Sequence, residues 1–113
     1  MQRMYRLSRG RDLERLLRRG RRVLSSLFEV IVQKNKGLHA RFAFIVPKRV
    51  AKRAVIRNKL RRRMREWVRR DQSALSAPYD VAVVCRSGAP AATRAKFYEE
   101  FTRLLAEFKK NHP

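Results

Sequence analysis

Between Arg41 and Arg70 the chain carries 13 Lys or Arg residues, and only Glu66 opposes them. The chemistry open to such a run is phosphate binding. A guanidinium is planar and permanently charged, and its fork holds two phosphate oxygens at once. Within the run, Ile56, Leu60, Met64, Trp67 and Val68 fall in an arc of about 120° at ~100° per residue. Lys59, Arg61, Arg62, Arg63, Arg65, Arg69 and Arg70 take the rest of the circumference, with Arg57 at the border. The spacing predicts a helix over 53–70, ~27 Å long, with a core side and a cationic side. Its apolar stripe reads as core, not as a cofactor site.

Side chains for bond-making chemistry are sparse. Nine acids are scattered, and the one adjacent pair, Glu99-Glu100, would not converge on a helix. His39 and His112 lie far apart in sequence and read as solvated side chains, and with Cys85 they give no zinc spacing. Cys85 sits in an apolar run and reads as a small core residue. A phosphate-cradling glycine loop is missing too. The pattern is that of a binder; if an enzyme contains this chain, the reacting groups lie elsewhere.

The elements that position these residues must fit in 113 residues, the length of one domain, here 1–113. A hydrophobic fraction of 44% supports a real core. The net charge of +21 calls for a polyanionic partner. Residues 1–70 hold 24 of the 30 basic residues and 4 of the 9 acids, so the C-terminal third is electrically ordinary. No apolar run approaches the ~20 residues of a membrane span, and no secretory signal follows the start. A single cysteine offers no internal disulfide. The expectation is a cytoplasmic protein with no membrane and no disulfide-linked partner.

Along the chain, Ser8 is a candidate cap for a first helix with Leu13, Leu16 and Leu17 as its stripe, ending near Gly20. Residues 23–33 alternate as a strand, Asn35-Lys36-Gly37 signals a turn, and residues 41–46 form a second strand stopped by Pro47. After the basic helix and a polar loop over 71–78, residues 79–86 read as a buried strand. A last helix over 93–110 puts Phe97, Phe101, Leu104, Leu105 and Phe108 on one face. This order suggests a two-layer α/β sandwich.

The stretch from Phe44 through Pro47-Lys48-Arg49 and Arg57-Asn58-Lys59 to Glu66 closely resembles the signature of the bacterial ribonuclease P protein subunit. That family shows a strand ending in a basic pair, a short link, and an Arg-Asn-Arg element opening an arginine-rich helix. Here Lys59 replaces the final Arg, which keeps the charge and loses the fork. Residues 7–20, residues 79–86 and the terminal helix extend the likeness over nearly the whole chain. The resemblance implies an α+β fold: a two-layer α/β sandwich, ribosomal protein S5 domain 2-like, of order α-β-β-β-α-β-α with a left-handed βαβ crossover. Residues 23–46 must then supply three of the four strands.

The same resemblance implies a function. The family's protein binds a catalytic RNA, and together they remove the 5′ leader of precursor tRNA to leave a 5′-phosphate. Mg2+ held by the RNA and substrate activates water, and the protein supplies affinity and position. Carried onto this sequence, the face toward the catalytic RNA would be Lys52, Arg53, Arg57, Asn58, Lys59, Arg61, Arg62 and Arg65. Asn58 is also placed to cap or brace the helix-opening turn. The family's leader cleft, between first helix and sheet, would map to Leu13, Leu17 and Ile31 with Lys48, Arg49 and Arg86. Family members often have aromatics there, whereas these positions are aliphatic, which leaves apolar contact and charge in place of stacking. Leu13 and Leu17 fit the core equally well.

Other classes share some of these features. A structural protein of the ribosome would have similar charge and size, and would co-sediment with ribosomal subunits through a high-salt wash. A DNA reader would need more polar variety at the helix start than this arginine distribution gives. A membrane-surface helix conflicts with the core's need for the apolar stripe.

Overall fold

The computed structural model describes residue 7 and residues 10–37, 39–70 and 78–111, with side chains as far as residue 107. Three helices and four strands follow the order α1 (Arg11–Arg19), β1 (Arg21–Leu24), β2 (Phe28–Lys34), β3 (Arg41–Ile45), α2 (Ala54–Arg70), β4 (Tyr79–Cys85) and α3 (Arg94–Asn111). The strands form one sheet in the order β1-β2-β4-β3. β1 pairs with β2 and β2 with β4 antiparallel, whereas β3 pairs parallel with β4. This is the expected mixed α/β architecture, and α2 is the crossover that the parallel pair requires.

α1 begins one residue past Gly10, whose φ of 136° disfavours any side chain. Gly10 makes no side-chain cap, and the candidate cap Ser8 lies outside the described residues. Asp12 and Glu14 in the first turn and Arg18 and Arg19 in the last match the helix dipole. The helix ends at Gly20, as expected. A Cβ there would sit 2.5 Å from Ile31 Cγ2 and 2.7 Å from the Leu16 carbonyl oxygen, so the close approach of helix to sheet requires glycine.

The single strand expected over 23–33 is two strands. Ser25 breaks it: its Oγ accepts the backbone N–H groups of Leu27 and Phe28, both at 3.2 Å, a local turn that competes with the ladder. β1 also starts two residues earlier than expected, at Arg21. The turn at Asn35 forms as read, with Gly37 N donating to Asn35 Oδ1 at 2.7 Å. Yet β2 and β3, which flank it, do not pair, because β4 inserts between them.

One face of the sheet packs against α2 and α3. Phe28, Val30, Val32, Val81, Val83 and Cys85 meet Leu60, Met64, Trp67, Val68, Phe97, Phe101, Leu104 and Leu105 there, all buried. Phe28 meets Phe97 and Phe101 edge-on at ring centroid distances of 4.8 and 5.5 Å, a favoured arrangement. Trp67 Nε1 donates to Thr102 Oγ1 at 2.8 Å, joining α2 to α3. Ile56 is half-buried at the rim. The Phe108 side chain, the loop at 71–77 and His112 lie outside the described residues. The other face carries a smaller cluster beneath α1: Leu7, Leu16, Ile31, Ala43 and Ala82.

Candidate nucleic-acid interface

α2 is entered through a tight turn after β3, in which Val50 and Ala51 both donate to the Pro47 carbonyl. The Arg53 carbonyl then accepts from Ile56 N and Arg57 N at 3.1 and 3.2 Å and starts the helix. Lys52, Arg53, Asn58, Lys59, Arg62 and Arg65 are exposed, and Arg57 and Arg61 half-buried.

Arg57 turns back toward the chain. Its Nη1 donates to the carbonyls of Ala51 and Lys52 at 3.0 and 2.7 Å, so the bracing role expected of Asn58 belongs to Arg57. Asn58 is the fifth residue of α2 and caps nothing; its Oδ1 accepts from Arg61 Nη1 at 2.9 Å. That bond orients Arg61 on the helix surface.

The helix arginines divide by flank. Arg63 lies over the Phe97 ring at 5.6 Å and Arg70 over Tyr98 at 5.9 Å. Glu66 faces the same way and accepts from Arg94 Nη2 at 3.1 Å and Tyr98 Oη at 3.2 Å. The one acid of α2 is therefore spent on α3 and does not dilute the outer charge. On the outer line, Asn58, Arg62, Arg65 and Arg69 recur at helical spacing, all exposed. Arg69 extends this line beyond the face that the family resemblance implies, and the 62-65-69 spacing is the signal that finds it.

On the α1 side, strand registers order the side chains into rows. Arg22, Ile31, Ala82 and Ala43 are partners in one row across β1, β2, β4 and β3. α1 covers this row, and Ile31 is 1% exposed. Ile31 therefore supports the packing beneath the helix and lines no open cleft. The open row is the next one, two residues along each strand: Leu24, Glu29, Val84 and Ile45. Leu24 is 55% exposed there and the other three are half-buried.

Leu13 and Leu17 are half-buried, packed on the small cluster with Val84, so each is part core and part open surface. Because β3 and β4 are parallel, exposed Lys48, Arg49 and Arg86 emerge at the same end of the sheet. Arg86 is fixed there, with N donating to Leu27 O at 2.8 Å and Nη1 to Ser25 O at 2.6 Å. Cys85, just before it, is buried, and burial pushes its thiol up to about 12 despite the nearby Arg61 charge. Among the described residues no three His, Cys, Asp or Glu side chains gather where they could hold a metal.

What this arrangement offers chemically is a surface that can neutralise and position phosphates. Known proteins similar to this chain fall in one family. The family model described as Ribonuclease P matches residues 1–109. A ribonuclease P protein component from Syntrophobacter fumaroxidans is 43% identical over 79 residues, which is 69% of this chain and 66% of that protein. The one from Thioalkalivibrio sulfidiphilus is 31% identical over 104 residues, 92% of this chain and 86% of that protein. The solved structure of the Staphylococcus aureus RNase P protein superposes with a TM-score of 0.86 at 29% identity, covering 93% of this chain and 95% of that one.

Proposed function

Since the chain belongs to the ribonuclease P protein family, we propose that it binds the catalytic RNA of ribonuclease P through α2 and the 5′ leader of precursor tRNA beside α1. The observation that supports this most is the outer line of α2, from which the helix's only acid is turned away. Arg62, Arg65 and Arg69 would meet the RNA backbone, with Arg61 aimed by Asn58. Arg57 would hold the β3–α2 link so that Lys52 and Arg53 stand at the same surface. Binding of this kind releases counterions and weakens steeply with salt.

The leader would run over the row of Leu24, Glu29, Val84 and Ile45, along Leu13 and Leu17. Lys48, Arg49 and Arg86 would take its phosphates at the end of the sheet. The described residues put no aromatic in this row, so contact would be apolar and electrostatic, without stacking. In this reading magnesium held by the RNA and substrate supplies the activated water, and this chain's residues hold the scissile region in place. No helix among the described residues is long and apolar enough to cross a membrane.

The test is cleavage of a 5′-extended precursor tRNA by a bacterial ribonuclease P RNA at low magnesium, with and without this protein. Faster leader release at the correct site, only with both components, is the expected result. Cleavage by the protein alone, or no stimulation by folded protein, would overturn the proposal.

A further inference from the structure

α2 does not account for the charge of this chain. Arg11, Arg15, Arg18 and Arg19 of α1 are all exposed and fall in an arc of about 100° at ~100° per residue. The leucines of α1 point the opposite way, into the small cluster under the helix. Over ~12 Å of helix the outer surface is therefore an arginine ridge. Among the described residues none of the four has an ion-pair partner: Asp12 turns to Arg41 at 3.4 Å.

The ridge borders a concavity of about 500 Å³ on the side of α1 away from the leader row. Arg15, Lys34, Lys36 and Arg41 line it together with Asp12 and Asp80. Both acids are held by Arg41: its Nε and Nη2 reach Asp80 at 2.8 Å each. Arg15, Lys34 and Lys36 are left exposed to a ligand. Ridge and concavity meet at Arg15, which belongs to both.

This surface and the α2 surface lie on opposite faces of the sheet, because α1 packs on Ile31, Ala43 and Ala82 while α2 packs on the Phe28 side. A single short RNA segment cannot meet both. We propose that the outer face of α1, with the neighbouring Lys34 and Lys36, is a further RNA site, separate from both α2 and the leader row, that takes the phosphate backbone of a base-paired segment. The proposal rests on the reading of the chain as an RNA binder. A duplex is the occupant because the outer face of α1 is a convex ridge of charge, and α1 carries no aromatic to hold an unstacked base. Double-stranded RNA is recognised through its backbone and shape.

Tethered hydroxyl-radical cleavage tests it. Cys85 is 1% exposed, so an iron chelate attaches selectively to Arg18→Cys, or to Arg62→Cys on α2, in the full-length protein. Each is assembled with ribonuclease P RNA, with and without precursor tRNA. The expected result is cutting of a base-paired segment from position 18 that position 62 does not reach. Cuts that appear without precursor tRNA identify the catalytic RNA as its source; cuts that require it identify the substrate. In parallel, Arg15→Ala/Arg18→Ala should reduce the salt slope of that binding by roughly 0.9 per lost contact with melting temperature unchanged.

Cuts from position 62 alone, cuts in the same segment from both, or cuts confined to single strands overturn the inference and leave the functional reading standing. No cutting from either position overturns both.

Discussion

Neighbouring arginines of α2 should fail in opposite ways. Arg62 is exposed on the outer line, whereas Arg63 lies 5.6 Å over the Phe97 ring and faces α3. The double variant Arg62→Ala/Arg65→Ala removes two outward charges and no described packing. Each lost phosphate contact lowers the slope of log affinity against log salt by roughly 0.9 on the duplex scale. For two contacts, the wild-type advantage shrinks roughly tenfold between 50 and 200 mM salt. Arg63→Ala instead loses a cation–π contact worth about 0.5–1 kcal/mol, a fall of roughly 2–4 °C in melting temperature for a domain of this size. The assays are filter binding to ribonuclease P RNA across a salt series and thermal melts of the free protein. Were Arg63→Ala to flatten the salt slope as much as the outer pair, with no loss of melting temperature, the division of α2 into a packing flank and an RNA flank would be wrong.

Three further outcomes follow from individual contacts. Asp80→Asn weakens the two-bond pairing of a buried carboxylate with Arg41, and since Arg41 is partly exposed and keeps Asp12 it should cost about 1.5 kcal/mol in urea unfolding; a change under 0.5 kcal/mol would contradict that pairing. Glu100 is held below the ordinary carboxylate range by its hydrogen bond from Arg103, aided by Ser25 and opposed by burial. Its stabilising contribution is thus full above the unfolded value of ~4.3 and lost as pH falls through the lowered folded value, so Glu100→Gln should narrow the difference in melting temperature between pH 6 and pH 3. The Cys85 thiol, pushed up to about 12 from 9.0 by burial, should react with a thiol reagent at pH 8 roughly a thousandfold more slowly in the native protein than in guanidinium; equal rates would show that the strand end is open.

Much of this protein was legible in its sequence, because local periodicity and charge set it. The stripe from Leu60 to Val68 is buried as its spacing requires, and the run of arginines around it had nowhere to point but outward or along the flanks. The end of α1 at Gly20 and the turn at Asn35 were equally readable, since turn chemistry is carried by the residues themselves. Family likeness supplied the strand count that alternation alone did not, because the break at Ser25 comes from one hydroxyl bonding back to the chain.

Only the tertiary structure decided which strands pair and which arginines are spent. Insertion of β4 between β2 and β3 depends on contacts distant in sequence, and it brings Lys48, Arg49 and Arg86 to one end of the sheet. A two-residue step along each strand separates buried Ile31 from the open row of Leu24 and Val84, and a period of two cannot say which row a helix will cover. Nor does the sequence show that Arg57 braces a turn, that Arg63 lies on Phe97, or that Glu66 faces α3. An arginine has the same charge in each role, and what it does is fixed by the side chains that folding brings within reach of its guanidinium.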